Sequence, residues 1–402
     1  MTAPDVPVVV IGAGPAGSVT ARELARRGTR VLLVDQATFP RPKVCGCCLN
    51  VAGVAALDGV GLGHVLRDLG AIPLRRVKLA AGRADADVSL PGGVALSRDA
   101  LDLALLREAE AAGATVRTGV RAKVDDDGRV TLDAVEPPGE PRAVRPRVSH
   151  APRTTFDVNQ VPDSPGALRP SARQVLQPEA VVLASGLPTR ADAAPASRLG
   201  AGVVLPADAV PAFFAPGTIF MATARSGYVG LVRLEDGRLD LAAAFDPAFV
   251  KAAGGAGAAA LDVLKSTRWP LPPGIADAAW KGTPALTRTP AAVAGRRTFA
   301  VGDAAGYVEP FTGEGMAWAL AGAAALAPIV HQAATGWREE HAAAWRMAHA
   351  RVVGGRQGVC RAAARALRSP TFTRLAVRVL SVLPVLARPV TAALNRTPGR
   401  PA

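Results

Sequence analysis

Val8-Val9-Val10-Ile11-Gly12-Ala13-Gly14-Pro15-Ala16-Gly17 is a short apolar block that stops at three glycines spaced G-x-G-x-x-G. Four consecutive apolar, β-branched residues predict a strand buried on both faces. The glycines permit a tight turn, close approach of a pyrophosphate and tight helix packing. Ser18 to Arg27 then reads as a helix with Val19 and Leu24 inward, closed by Gly28. Arg30 to Val34 is a second strand, and Asp35 ends it. That acid lies roughly 20 residues past the loop, where a carboxylate binds ribose hydroxyls. A lone G-x-G-x-x-G carries little weight, but strand, loop, helix, second strand and terminal Asp supply its full context.

Working outward, a second element lies almost at the other end of the chain. Val301-Gly302-Asp303-Ala304-Ala305-Gly306 is followed by Glu309-Pro310-Phe311-Thr312-Gly313-Glu314-Gly315-Met316 and an Ala-rich helical stretch. A strand that delivers a carboxylate to a helix N-terminus suits ribose-like hydroxyls beside negative charge. Two nucleotide-type loops so far apart in sequence imply one extended dinucleotide. Asp35 in place of a basic residue suits FAD or NAD and disfavours a 2′-phosphate.

The 402 residues are enough for one large or two interlocked domains, and 49% are apolar, which excludes a disordered chain. The formal net charge is +14. Aromatics are only 4% and do not interleave with basic residues, so a nucleic-acid partner is not expected. Attraction to an anionic membrane surface stays open. The first apolar run lacks a basic flank and is needed as the first strand, so it does not read as a signal peptide. Gly315 to Val330 is read as a buried helix and not as a membrane span. The expected location is cytoplasmic, at most at the inner face of the membrane, with four reduced cysteines.

Ser97-Arg98 opens a helix to about Glu110, with Ser97 as N-cap and Leu101, Leu105 and Leu106 as its apolar stripe. Thr115 to Val120 reads as a strand, and Asp125-Asp126-Asp127-Gly128 as a hairpin turn. Prolines and charges interleave through 134–178, predicting a flexible surface insertion without a packed element. Ala180 to Gly186 returns to the parallel sheet. Thr218 to Ala222, Tyr228 to Leu234 and Arg238 to Phe245 are candidate strands of an inserted sheet.

These features resemble the FAD-dependent oxidoreductases of the para-hydroxybenzoate hydroxylase fold, with the geranylgeranyl reductase-like branch the most similar. The resemblance rests on Gly12 to Gly17 with Asp35, Phe39-Pro40-Arg41-Pro42-Lys43-Val44-Cys45-Gly46, Ser97-Arg98, Val182 to Gly186, and Gly302-Asp303 through Gly315. Aromatic hydroxylases of this fold commonly carry His after Gly-Asp-Ala-Ala, where this chain has Gly306. The resemblance implies an α/β architecture: a Rossmann-like FAD-binding domain, an inserted, mostly antiparallel β-sheet substrate domain and a helical C-terminus. The corresponding division is 1–70, 97–133, 179–190 and 296–330 for FAD, 71–96 and 191–295 for substrate, 134–178 for the insertion and 331–402 for the helical region. It further implies that Gly12, Gly14, Pro15, Ala16, Gly17, Asp35, Arg41, Cys45, Gly46, Arg98, Asp303, Gly313, Gly315 and Met316 bind the cofactor. Gly315 and Met316 would offer backbone N–H groups to the flavin pyrimidine edge, where reduced flavin carries negative charge.

Cys45-Gly46-Cys47-Cys48 departs from the family, which tends to have glycines after Cys-Gly. Three cysteines within four residues are too close for an ordinary tetrahedral metal site, and Cys360 has no paired neighbour, so no metal is expected. Cys45 and Cys47 are the catalytic candidates, as thiols near the flavin that shape the pocket or in a redox pair among 45, 47 and 48, and Cys48 reads first as packing. Arg41 and Lys43, next to that loop, suit phosphate contact or passage of a reduced nicotinamide. His64, His150, His331, His341 and His349 are scattered and read as structural or solvated.

The expected function is hydride delivery from reduced flavin N5 to a double bond of a hydrophobic, prenyl- or polyketide-like small molecule, with NADH or NADPH as donor. The alternatives are a flavin monooxygenase that hydroxylates an aromatic ring and a non-catalytic flavin-binding redox sensor. The sequence does not specify an oligomeric state. Near the C-terminus, Ser369-Pro370 opens a helix whose Thr371, Arg374, Arg378 and Ser381 form a polar stripe on an apolar stretch. That pattern predicts either peripheral contact with anionic lipid or packing on the protein's own core.

Overall fold

Val8–Ile11 lies at the heart of a six-stranded sheet, paired in parallel with Val31–Asp35 on one side and Ala180–Leu183 on the other. The full order is Ala294–Gly295, Thr298–Ala300, Ala180–Leu183, Val8–Ile11, Val31–Asp35, Thr115–Thr118, with only the first strand antiparallel. The computed structural model describes residues 6–135, 173–187, 192–194, 197–290, 292–309 and 313–394.

The all-apolar strand is explained by cover on both faces. Val8, Val10 and Leu33 pack with Leu24, Leu106, Leu326, Val330 and Trp345 from the helices. Val9, Ile11, Leu32 and Val34 pack with Val130, Leu132 and Leu176 from a small antiparallel sheet on the other side. That sheet orders Gln174–Leu176, Val130–Ala134 and Val120–Val124, with the expected turn at Asp125–Arg129. The segment 134–178 therefore ends in a strand with a buried Leu176, contrary to the expectation that it holds no packed element. Leu176 pairs opposite Val130 and joins the cluster of Leu132 and Val34, a tertiary contact that the proline count of the segment does not reveal. Residues 136–172 of that insertion, and His150 with them, lie outside the described residues.

The second sheet has seven strands in the order Lys281–Ala285, Leu199–Leu205, Leu239–Phe245, Gly227–Arg233, Thr218–Ala224, Arg76–Ala81, Ala84–Ser89. One junction is parallel, Thr218–Ala224 with Arg76–Ala81, so the early hairpin completes the late sheet. One face packs Phe220, Leu231, Leu241 and Phe245 with Val263 and Leu264 of an outer helix, Ala256–Lys265, and with Trp269 just beyond it. Its other face looks toward the nucleotide-type domain. Arg198, 1% exposed, ties the two together by donating to Glu309 (2.9 Å) and Asp246 (3.2 Å).

The expected helix after Gly-Asp is Gly315–Ala333. Among the described residues it is the one helix long and apolar enough to cross a membrane, and it is mostly buried as a core helix.

Candidate functional site

The three N-terminal glycines have different physical reasons. Gly12 has φ +104°, and a Cβ there would lie 2.4 Å from the Ala184 carbonyl oxygen. A Cβ on Gly17 would lie 1.8 Å from the Gly12 carbonyl oxygen. Packing therefore demands glycine at both. At Gly14 a Cβ would meet nothing nearer than Arg41 Nη2 at 3.7 Å and Arg98 Nη2 at 3.9 Å. The protein itself does not need glycine at 14; the space there opens between two guanidiniums at the start of the Pro15–Arg26 helix. An anion held by helix N–H groups and two arginines fits that cradle.

Asp35 ends its strand as expected. Its Oδ2 accepts from Ala13 N–H and its Oδ1 from Ala37 N–H, each at 2.8 Å. Arg41 lies 3.7 Å from Asp35 and 3.6 Å from Asp102, and its buried Nε has no hydrogen-bond partner among the described residues. Arg98 is clamped to Asp102 by two bonds of 2.8 and 2.9 Å, four residues along one helix. Ser97 caps that helix as read, accepting from Ala100 N–H, while its hydroxyl donates to Glu235 of the inserted domain.

The two distant motifs meet directly. Gly302 has φ +64°, and a Cβ on it would touch Ala16 Cβ at 3.0 Å. Asp303 follows in a tight turn, Gly302–Ala305. Burial pushes its carboxyl up, against the attraction of Lys43 and Arg98. Burial correspondingly pulls the Lys43 ammonium down. Gly306 has φ +114° and faces Pro290, which explains why this chain has no histidine there.

Half-buried Cys45 and the buried Cys47 and Asp240 form a polar chain that ends on Arg98. A hydrogen bond from Cys47 and the Arg98 guanidinium hold the Cys45 thiol well below the usual range, against burial. The same pairing, with burial and Asp240, pushes the Cys47 thiol up. Burial and Cys45 raise the Asp240 carboxyl, and its Oδ2 has no hydrogen-bond partner among the described residues. Cys47 is a non-glycine residue at φ +49°. Cys48 lies in a two-residue strand paired with Val94–Ala95, and burial raises its thiol. Gly46 is exposed, and a Cβ on it would meet only Ala242 Cβ of the inserted sheet, at 4.0 Å.

Gly315 and Met316 begin the long helix, so their N–H groups have no intrahelical acceptor. Gly313 precedes them at φ +70°, and Tyr307 lies 3.3 Å from where a Gly315 Cβ would be. Tyr307, Tyr228, Met221, Ala244 and Leu286 form an apolar wall between this helix end and the inserted sheet. Pro310, Phe311 and Thr312 lie outside the described residues.

Sequence reasoning assigned no role to Glu314 or Asp240. Glu314 is 1% exposed, accepts from Asn50 Nδ2 at 3.1 Å and has Arg356 3.7 Å away. Burial pushes it to about 7. The available signal for Glu314 was an acid inside a glycine-rich turn before an apolar helix, and for Asp240 an acid at an inward position of an alternating strand. His64, His331 and His341 have ordinary partners in Glu108, Thr29 and the Arg338 backbone, while the His349 ring meets Trp345 edge-to-face.

A dinucleotide with a flavin at one end fits these residues: an open Gly14 cradle, an orphaned Arg41 Nε, a buried acid at 303 and a free helix N-terminus. The fold is thus that of the FAD-dependent oxidoreductases of the para-hydroxybenzoate hydroxylase type. Residues 5–147 match the FAD binding domain family. A 121-residue stretch is 41% identical to the menaquinone reductase of Mycobacterium tuberculosis, covering 29% of each chain. The menaquinone reductase of Mycolicibacterium smegmatis is 36% identical over 135 residues, or 32% of each. The matched stretch is thus about a third of those relatives' length. Among solved structures, the myxobacterial chondrochloren halogenase CndH superimposes with TM-score 0.71 at 18% identity, over 97% of this chain and 90% of its own. PqsL from Pseudomonas aeruginosa, described as a probable FAD-dependent monooxygenase, gives 0.64 at 16% identity, over 93% and 99%.

Proposed function

We propose that this chain is an FAD-dependent oxidoreductase that reduces a double bond in a hydrophobic, prenyl- or polyketide-like molecule, with NADH or NADPH as electron donor. The observation that carries the reading is the apolar wall of Met221, Tyr228, Leu286 and Tyr307, which adjoins the Gly315 helix start. When bound, reduced FAD supplies a hydride at N5.

In this reading Arg41, Arg98 and the Gly12–Gly17 loop hold the pyrophosphate, Asp35 a ribose and Asp303 the hydroxyls between. The Gly315 and Met316 N–H groups stabilise negative charge at the pyrimidine edge. Val44, Ala242 and the aromatic wall exclude water and orient an apolar substrate. Reduction of a double bond also requires a proton. Cys47 holds its proton more tightly than Cys45, and Cys45 is the less buried of the two. The Cys45–Cys47 pair, with Asp240 behind it, would hold that proton and supply it to the substrate carbon. The reductase names of the two mycobacterial relatives support this direction of chemistry.

The test is turnover on lipid extracts with NADH and NADPH, with and without oxygen. Products heavier by two hydrogens in anaerobic reactions are expected. Gain of one oxygen, only in air, would replace the reading with a monooxygenase, and bound FAD without turnover of any extract would leave a sensor. If Cys45→Ala and Cys47→Ala both retain full turnover, the thiols only pack.

A further inference from the structure

The Pro370–Val382 helix lies against the outer edge of the seven-stranded sheet, far along the chain from the cofactor motifs. Ser369 caps it, accepting from Phe372 N–H. Only a narrow face is buried: Val377 packs on Ala81 and Ala86, with Leu380 beside it and Thr373 a turn earlier. At about 100° per residue, Phe372, Leu375, Val379 and Val382 fall on the opposite side of the helix. They face solvent; Leu375 is 61% and Val382 77% exposed. The strip continues past the helix end through Leu383, Val385 and Leu386. Seven of the thirteen exposed large apolar side chains among the described residues lie in these fifteen positions. Such concentration is the signature of an interaction surface.

Between the buried and the exposed faces lies the polar stripe. Arg374, Arg378 and Ser381 line a cleft of ≈ 630 Å³ whose other wall is the Ala81–Asp85 turn with Ser266 and Arg268. Arg83 and Arg268 face the two helix arginines across it. Among the described residues none of these four arginines forms an ion pair. The one acid in the lining, Asp85, is already 3.8 Å from Lys78. Arginine guanidiniums converging on a cleft beside hydroxyls match a phosphate ester.

We propose that this face docks on an anionic phospholipid bilayer, with the Phe372–Leu386 strip entering the acyl boundary and the arginine cleft taking a lipid phosphate headgroup. The helix lies in the interface plane, apolar side down, and its arginines stand at headgroup height on one flank. The surplus positive charge of the whole chain, +14, attracts it to the same surface. Neither the cleft nor the strip shares a residue with the cofactor site, so the proposal stands apart from the redox reading.

The experiment is co-sedimentation of the full-length, FAD-loaded protein with phosphatidylcholine vesicles, with and without phosphatidylglycerol. Binding to the anionic vesicles alone is expected, weakening with salt. Arg374→Gln and Arg378→Gln should each weaken it roughly fivefold, and Leu375→Ser with Val382→Ser should abolish it. All variants should keep their FAD and circular dichroism, because the changed side chains are exposed. Equal binding to both vesicles, or none, overturns the proposal. So does a dimer in sedimentation velocity that Leu375→Ser with Val382→Ser dissociates, since a second copy would then cover the strip. Loss of binding on addition of inorganic phosphate at constant ionic strength, with the serine variant unaffected, would reduce the cleft to a free-phosphate site.

Discussion

Cys47 occupies a left-handed backbone position that glycine would adopt without strain. Its presence there has a chemical consequence, because its hydrogen bond pulls the Cys45 thiol down. Cys47→Gly should relieve about 1 kcal/mol of backbone strain while raising the Cys45 thiol. The pH midpoint of Cys45 alkylation should then move up; an unchanged midpoint would leave Arg98 as the controlling group. Glu314 makes a second residue-scale prediction. Its folded value, about 7, lies above the unfolded 4.5, so the folded protein binds the extra proton. Its stabilisation is complete below about pH 4.5 and is lost as pH rises through 7, a change on the order of 3 kcal/mol. Melting temperatures of the wild type and Glu314→Gln should therefore diverge between pH 5 and pH 8, with the variant gaining. Parallel curves would show that Glu314 titrates normally.

The elements that carry the cofactor motifs were legible because local chemistry determines them. Val8–Ile11 is apolar at every position because it is covered on both faces, and the Ser97 cap and the Gly28 stop mark helix ends through backbone needs. Gly14 and Gly17 separate two kinds of glycine within one loop. Gly17→Ala should destabilise the fold itself, since its Cβ would sit 1.8 Å from a carbonyl oxygen. Gly14→Ala should leave thermal stability without cofactor nearly unchanged and weaken FAD binding by tenfold or more; equal effects of the two on apo stability would refute the cradle. The Gln174–Leu176 strand was not legible, because three residues pair only through a tertiary partner. Nor were the meeting of Cys47 with Asp240 and the pairing of Arg198 with Glu309, whose partners are separated by 193 and 111 residues.

At the scale of the whole molecule, a chain read twice across two sheets brings residues 12–17, 302–306 and 313–316 to one cleft, while its last helices turn a different face outward. Arg198 is the clearest strut between the sheets. Its replacement by Ala would leave Glu309 buried without its cation and should cost about 3 kcal/mol or more of stability. A chemical denaturation midpoint unchanged from wild type would show that the two domains hold without it. The arrangement makes one claim above the rest: a single FAD bridges the two distant motifs. The direct measurement is the flavin content of the purified chain, from its visible spectrum and protein concentration, beside folded Gly14→Ala and Asp303→Ala variants. The account predicts a yellow wild type with one FAD per chain and variants that fold but retain little. A colourless wild type that takes up no added FAD would contradict it.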